Sequence, residues 1–127
     1  MGTHAMIGIW NETTGEISAS YVHYDGYIHG VGAMLVESYN DDASATLVAT
    51  GGYLSSLYGD YAKSRSAAVH SDRAVSFASV EDFLDEGFDY AGAEYIYLWD
   101  GEAWFVAEDT LVGVKSLFGA VETKLAA

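Results

Sequence analysis

Two of the four histidines, His23 and His29, lie close together in this sequence with Asp25 between them, a grouping that could ligate a metal or move a proton. A catalytic metal needs three protein ligands converging on one ion, and these three sit at no familiar ligand spacing. They read as parts of a turn, and no metal is assigned. Serine is plentiful, but neither a Gly-x-Ser-x-Gly elbow nor a Ser-x-x-Lys pair occurs, and Ser71-Asp72 beside His70 reads as a polar turn. Gly30 and Gly32 lack the strand-to-helix context of a phosphate loop. With no cysteine in the chain, thiolate nucleophiles, disulfides and thiolate-held zinc or iron–sulfur centres are excluded together. No catalytic residue and no cofactor is therefore assigned. The enzyme-class rival is a metal-dependent enzyme built on His23, Asp25 and His29.

Carboxylates are the abundant chemistry. Asp and Glu number 19 against 5 Lys and Arg, a formal net charge of −14. Between Arg73 and Lys115 there is no basic residue, while Glu81, Asp82, Asp85, Glu86, Asp89, Glu94, Asp100, Glu102, Glu108 and Asp109 all fall there. Glu81 with Asp85, and Asp82 with Glu86, share one face of a helix at four-residue spacing. General acid–base work would need one of them shifted by burial, and a polar helix face keeps both ionised. Such a patch suits a protein whose basic groove normally holds phosphates, and it repels nucleic acid and anionic membranes directly. Ordinary surface acidity explains the same residues without a partner. In the same segment Tyr95, Tyr97 and Trp99 alternate with Ile96 and Leu98, so both faces of a strand are apolar, and one of them needs a helix or a partner. Aromatic rings rimmed by carboxylates suit a protein-binding surface. The candidate partner-binding set is Glu81, Asp82, Asp85, Glu86, Asp89, Glu94, Tyr95, Tyr97, Trp99, Asp100 and Glu102; a homodimer would satisfy the aromatic part equally.

The elements that must position these residues follow from periodicity and turn chemistry. Met1 to Ala5 are set aside as an expression scar, which leaves 6–127 as a single domain of common size. Met6–Trp10 and Ile17–Tyr24 read as a first hairpin around Asn11-Glu12-Thr13-Thr14-Gly15-Glu16. Helices are expected at Val31–Tyr39, with Val31, Met34, Leu35 and Ser38 on one face, and at Asp42–Thr50, with Ala43, Leu47 and Thr50 together. Gly52 to Ser66 has no clear period and reads as loop, with a short strand at Ala67–His70. Ser79–Glu86 opens on a capping-box pattern, and Glu94–Trp99 with Trp104–Ala107 flank Asp100-Gly101, a tight-turn dipeptide. A last helix is expected at Thr110–Ala126 on the 3-4-3-4 spacing of Leu111, Val114, Phe118, Val121 and Leu125, although Gly113 and Gly119 each cost it about 1 kcal/mol. The resulting fold class is α+β, an antiparallel sheet built from hairpins with helices packed mainly on one face.

Half the residues are apolar and 14% are aromatic, enough to offset ordering entropy. No run of about 18 apolar residues and no signal-peptide layout occurs, so a cytoplasmic location is expected.

The segment Tyr21-Val22-His23-Tyr24-Asp25-Gly26-Tyr27-Ile28-His29-Gly30-Val31-Gly32 resembles a signature of small acidic proteins of tailed bacteriophages and prophages, roughly Tyr-x-His-Trp-Asp-Gly-Tyr, three further residues, then Val-Gly. The likeness continues through Leu35 and Tyr39, Gly52 to Leu57, and Glu94 to Gly101 with Trp104 and Val106. Tyr24 replaces the usual Trp, and His70-Ser71-Asp72-Arg73 stands where a more basic run is common. The resemblance implies a phage origin and no particular mechanism. Small non-enzymatic phage proteins commonly bind and block a host protein, so the expected function is inhibition of a host nucleic-acid-handling or defence protein in the host cytoplasm, by acidic mimicry of nucleic acid. A self-associating accessory phage protein is the alternative.

Overall fold

The computed structural model describes residues 3–69, 72–90 and 92–108, together with a strand segment at 115–116. β1 (Ala5–Trp10) and β2 (Ile17–Val22) form the expected antiparallel hairpin. Its loop is tied by Asn11, whose side chain accepts the backbone N–H of Thr13 at 2.9 Å, and by Gly15 at φ 79°. A single π-type turn at Ile28–Gly32 leads into α1 (Ala33–Ser38), then α2 (Asp42–Thr50), α3 (Tyr61–Ser66), β3 (Val75–Phe77), α4 (Val80–Tyr90), β4 (Tyr95–Trp99), β5 (Trp104–Glu108) and β6 (Lys115–Ser116).

The sheet order is β3-β2-β1-β4-β5-β6. The class is α+β, but the sheet is not antiparallel throughout. β1 and β4 lie side by side in parallel, with Ala5 opposite Tyr95 and Ile9 opposite Trp99. Because β3, like β1, runs opposite to β2, β3 and β4 point the same way, and α4 carries the chain between them across one face. Continuous apolar runs are what a central strand covered on both faces requires, and Met6-Ile7-Gly8-Ile9 and Tyr95–Trp99 are such runs.

Helices accordingly cover both faces. On one, Ile7, Val22, Tyr97, Trp99 and Trp104 pack with Val31, Leu35, Ala45 and Val48 from the π-type turn, α1 and α2. On the other, Met6, Ile17, Ile96 and Leu98 pack against Phe83 of α4. Gly8 makes room for that ring, since a Cβ there would stand 2.7 Å from Phe83 Cε2.

Several local expectations change. α2 has the bounds read from the sequence, but it buries Ala45, Val48 and Ala49 and leaves Leu47 53% exposed. The helix expected from Val31 begins as the π-type turn, because the N–H groups of Gly32 and Ala33 reach back five residues to the carbonyls of Tyr27 and Ile28. α4 continues past Glu86 to Tyr90, since Phe88 adds to its apolar face. A helix at Tyr61–Ser66, capped by Asp60 on the N–H of Ala62, replaces loop. The strand lies at Val75–Phe77 and not at Ala67–Val69, because Ile17 and Ala19 of β2 offer it partners; His70 is outside the described residues. The expected helix Thr110–Ala126 also lies outside them, except for Lys115–Ser116, which pair with Phe105 and Val106 as an edge strand. Residues Thr3 to Ala5, set aside on the sequence, are built into the fold. Ala5 is fully buried at the start of β1, and the carbonyls of Thr3 and His4 accept the N–H groups of Gly26 and Glu94. No helix among the described residues is long and apolar enough to cross a membrane.

Candidate functional site

α4 positions the first half of the acidic set. Its N-terminus is capped by Ser79, whose hydroxyl accepts the N–H of Asp82 at 3.1 Å. Phe83, Leu84 and Phe88 turn toward the sheet, and Gly87 lets the helix approach Ile96, where a Cβ would stand 2.8 Å from the Ile96 side chain. With that face buried, Glu81, Asp85, Glu86 and Asp89 are exposed on the other, and Asp82 is half-buried at its edge. Four-residue steps on a helix are about 6 Å apart, so Glu81, Asp85 and Asp89 form one row. Glu94, also exposed, follows at the start of β4.

Asp100 and Glu102 sit at the far end of β4, about 16 Å further on for five residues of strand. Asp100 is committed to its turn, where its carboxylate accepts the N–H groups of Glu102 and Ala103, both at 2.9 Å. These two join Glu12, Glu16 and Asp42 along a second groove of about 610 Å³, so the sequence-level acidic set divides into two groups.

The aromatic part of the candidate surface is mostly internal. Tyr97 is fully buried, donates its hydroxyl to the carbonyl of Gly26 at 2.6 Å, and has its phenol pushed well above the ordinary range by burial. Trp99 is 2% exposed. Only Tyr95 is half-buried, stacked on Tyr97 with ring centroids 6.3 Å apart. The π-type turn, α1 and α2 cover the face of β4 that carries Tyr97 and Trp99, and α4 covers the face that carries Ile96 and Leu98, so neither Tyr97 nor Trp99 is available to a partner or to a second copy of the chain.

His23, Asp25 and His29 do not form a metal-holding group. His23 stacks on His4 at 4.6 Å, and its Nδ1 lies 2.9 Å from the Tyr21 hydroxyl. Asp25 takes a left-handed turn conformation at φ 60°, and His29 is exposed. Among the described residues no three His, Cys, Asp or Glu side chains are placed to hold a metal ion.

A cleft that sequence reasoning missed lies beside β2. The chain beyond Val22 runs parallel to Leu54-Ser55: the N–H of Leu54 donates to Tyr21, that of His23 to Leu54, and that of Tyr24 to Ser55. The opposite wall is fixed by Gly52. Its N–H donates to the buried Ser20 hydroxyl, which itself donates to the α2 carbonyl of Ala49. At φ 93°, Gly52 places Tyr53 so that its N–H reaches the carbonyl of Asp72 at 2.8 Å. Between these walls opens a cleft of about 980 Å³ lined by Tyr21, His23, Tyr24, Tyr53, Asp72 and Arg73, among others. Burial, with Tyr53 beside it, raises the phenol of Tyr21. The Gly51-Gly52-Tyr53 sequence was the available signal, but it reads locally as a helix stop.

Compared with protein-family models, curated proteins and solved structures, the chain matches none of them.

Proposed function

We propose that this chain is a phage-encoded, non-enzymatic interaction protein that binds and inhibits a host nucleic-acid-handling or defence protein, with the outer face of α4 standing in for a run of phosphates. The observation that carries this reading is the exposed row Glu81, Asp85 and Asp89 with Glu86 beside it, on a helix whose opposite face is locked to the sheet. A rigid helix holds charges at fixed spacing, which a flexible acidic tail does not. The net charge of −14 adds long-range attraction to a basic partner and repels nucleic acid itself. Phage origin rests on the resemblance of the Tyr21–Gly32 segment.

The test is capture of partners from host extract, followed by competition. The expected partner binds nucleic acid, is displaced from this chain by duplex DNA, and is released by salt, because exposed charges are screened over about 8 Å at physiological ionic strength. Replacing Glu81, Asp85, Glu86 and Asp89 by Gln or Asn is expected to slow association while leaving folding intact. A partner indifferent to DNA, salt and the fourfold change rules out mimicry by α4.

A further inference from the structure

We propose that the cleft beside β2 is a binding site for a small nucleotide, a planar nitrogen-bearing ring joined to a single phosphate. Its walls supply the three kinds of contact such a ligand needs. The first is an aromatic surface. Tyr21 lies 5.7 Å from Tyr53 and 5.9 Å from His23, and Tyr24 meets His23 edge-on at 4.6 Å, so the rings form a connected wall. Most described rings in this fold are at least partly covered, yet Tyr24 is 48% exposed and Val69 on the same rim 73% exposed. A planar ligand would cover both.

The second contact is a cation. Arg65 donates to the carbonyl of Tyr53 at 2.5 Å and Lys63 lies over the Tyr58 ring, whereas the Arg73 guanidinium has no partner among the described residues. It is exposed at the cleft, where its planar fork suits a phosphate. The third is Asp72, an exposed acceptor on the same rim whose position is set by the Tyr53 hydrogen bond to its backbone. A carboxylate beside the cation selects a ligand that carries N–H donors as well as an anion, which describes an amino-bearing nucleobase and its phosphate. The size, about 980 Å³, falls at the upper end for small-molecule sites. The net charge of −14 disfavours a polyanion and so argues for a mononucleotide over a nucleic-acid strand.

The site is independent of the α4 surface and is tested separately. AMP, CMP, adenosine, inorganic phosphate and 1-naphthoate are titrated calorimetrically into the purified protein. AMP or CMP is expected to bind with Kd below about 1 mM, and adenosine and phosphate each at least about tenfold more weakly. Arg73→Gln is expected to reduce nucleotide affinity to that of adenosine while leaving adenosine unchanged. Tyr24→Ala is expected to weaken both by about tenfold, with Tyr24→Phe close to wild type. Both positions are exposed, and a melting curve confirms that each variant folds; nucleotide should also raise the wild-type melting temperature. Binding of 1-naphthoate as tight as AMP means the amino edge is not read and overturns the nucleotide assignment. Absence of binding by both nucleotides at about 10 mM, or affinity unchanged in Arg73→Gln, overturns the site.

Discussion

The indole N–H of Trp99 donates to the carboxylate of Asp42 at 2.7 Å, joining the end of β4 to the first turn of α2. Trp99 is 2% exposed, so its donor has no ready access to water. Replacing Asp42 by Ala strands that N–H and is expected to cost about 1–3 kcal/mol, read from the urea midpoint. Asp42→Asn retains an acceptor oxygen and should recover most of the loss. Equal losses in the two variants would mean that charge, and not the hydrogen bond, is what α2 requires.

Asp41, one residue earlier, caps α2. Its carboxyl is held below the usual carboxylate range, first by the backbone N–H of Ser44 and then by the Ser44 hydroxyl. A depressed folded pKa contributes stability above the unfolded value of about 3.9, and that contribution is lost as pH falls through the folded value. The melting-temperature gap between wild type and Asp41→Ala should therefore be complete at neutral pH and close on acidification below about pH 4. Asp41→Asn, itself a good cap, should show no such pH dependence.

Gly52 is poorly placed to accept a side chain. Its φ of 93° is strained for any other residue, and a Cβ would stand 2.3 Å from the backbone oxygen of Asp72. Gly52→Ala is expected to destabilise by about 1–3 kcal/mol from backbone conformation, with the clash adding to it. Gly59→Ala is the control, because its Cβ would meet only the Ser38 hydroxyl at 3.3 Å and the Met34 sulfur at 3.6 Å. Chemical denaturation of both variants separates the two cases. Similar midpoints would show that the Asp72 segment yields freely.

His23 and His29 are expected to be architectural. Only a ligand that favours the folded state raises apparent stability, so neither chelator nor added zinc should move the melting temperature. A fall on chelation would restore the metal-enzyme reading.

What was legible in the sequence was local. The β1–β2 hairpin, the bounds of α2 and the tight turn at Asp100-Gly101, where Gly101 has φ 105°, follow from turn and cap chemistry within a few residues. The amphipathic pattern of α4 placed Glu81, Asp85 and Glu86 outward for the same reason. The burial of Tyr97 and Trp99 depends on the π-type turn, α1 and α2 arriving from elsewhere in the chain, which periodicity within β4 does not reveal. α3 is only six residues long, too short for an apolar period, and its Asp60 cap was the one available cue. The cleft was hidden because it depends on Gly52, Ser20 and Asp72 meeting across long sequence separations.

The parallel alignment of β1 with β4 also sets an order of events during synthesis. Ala5 and Tyr95 are about 90 residues apart, so β1 leaves the ribosome long before its second neighbour exists. Until then the sheet can hold only β3, β2 and β1, and Met6 and Ile7 lack their β4 neighbours. Joining strands so far apart incurs the loop-closure entropy before any contact repays it, which favours slow folding for a chain of this length. Through that interval the high negative charge keeps nascent copies apart, a service to the unfinished molecule that is separate from anything the acidic face does once folding is complete.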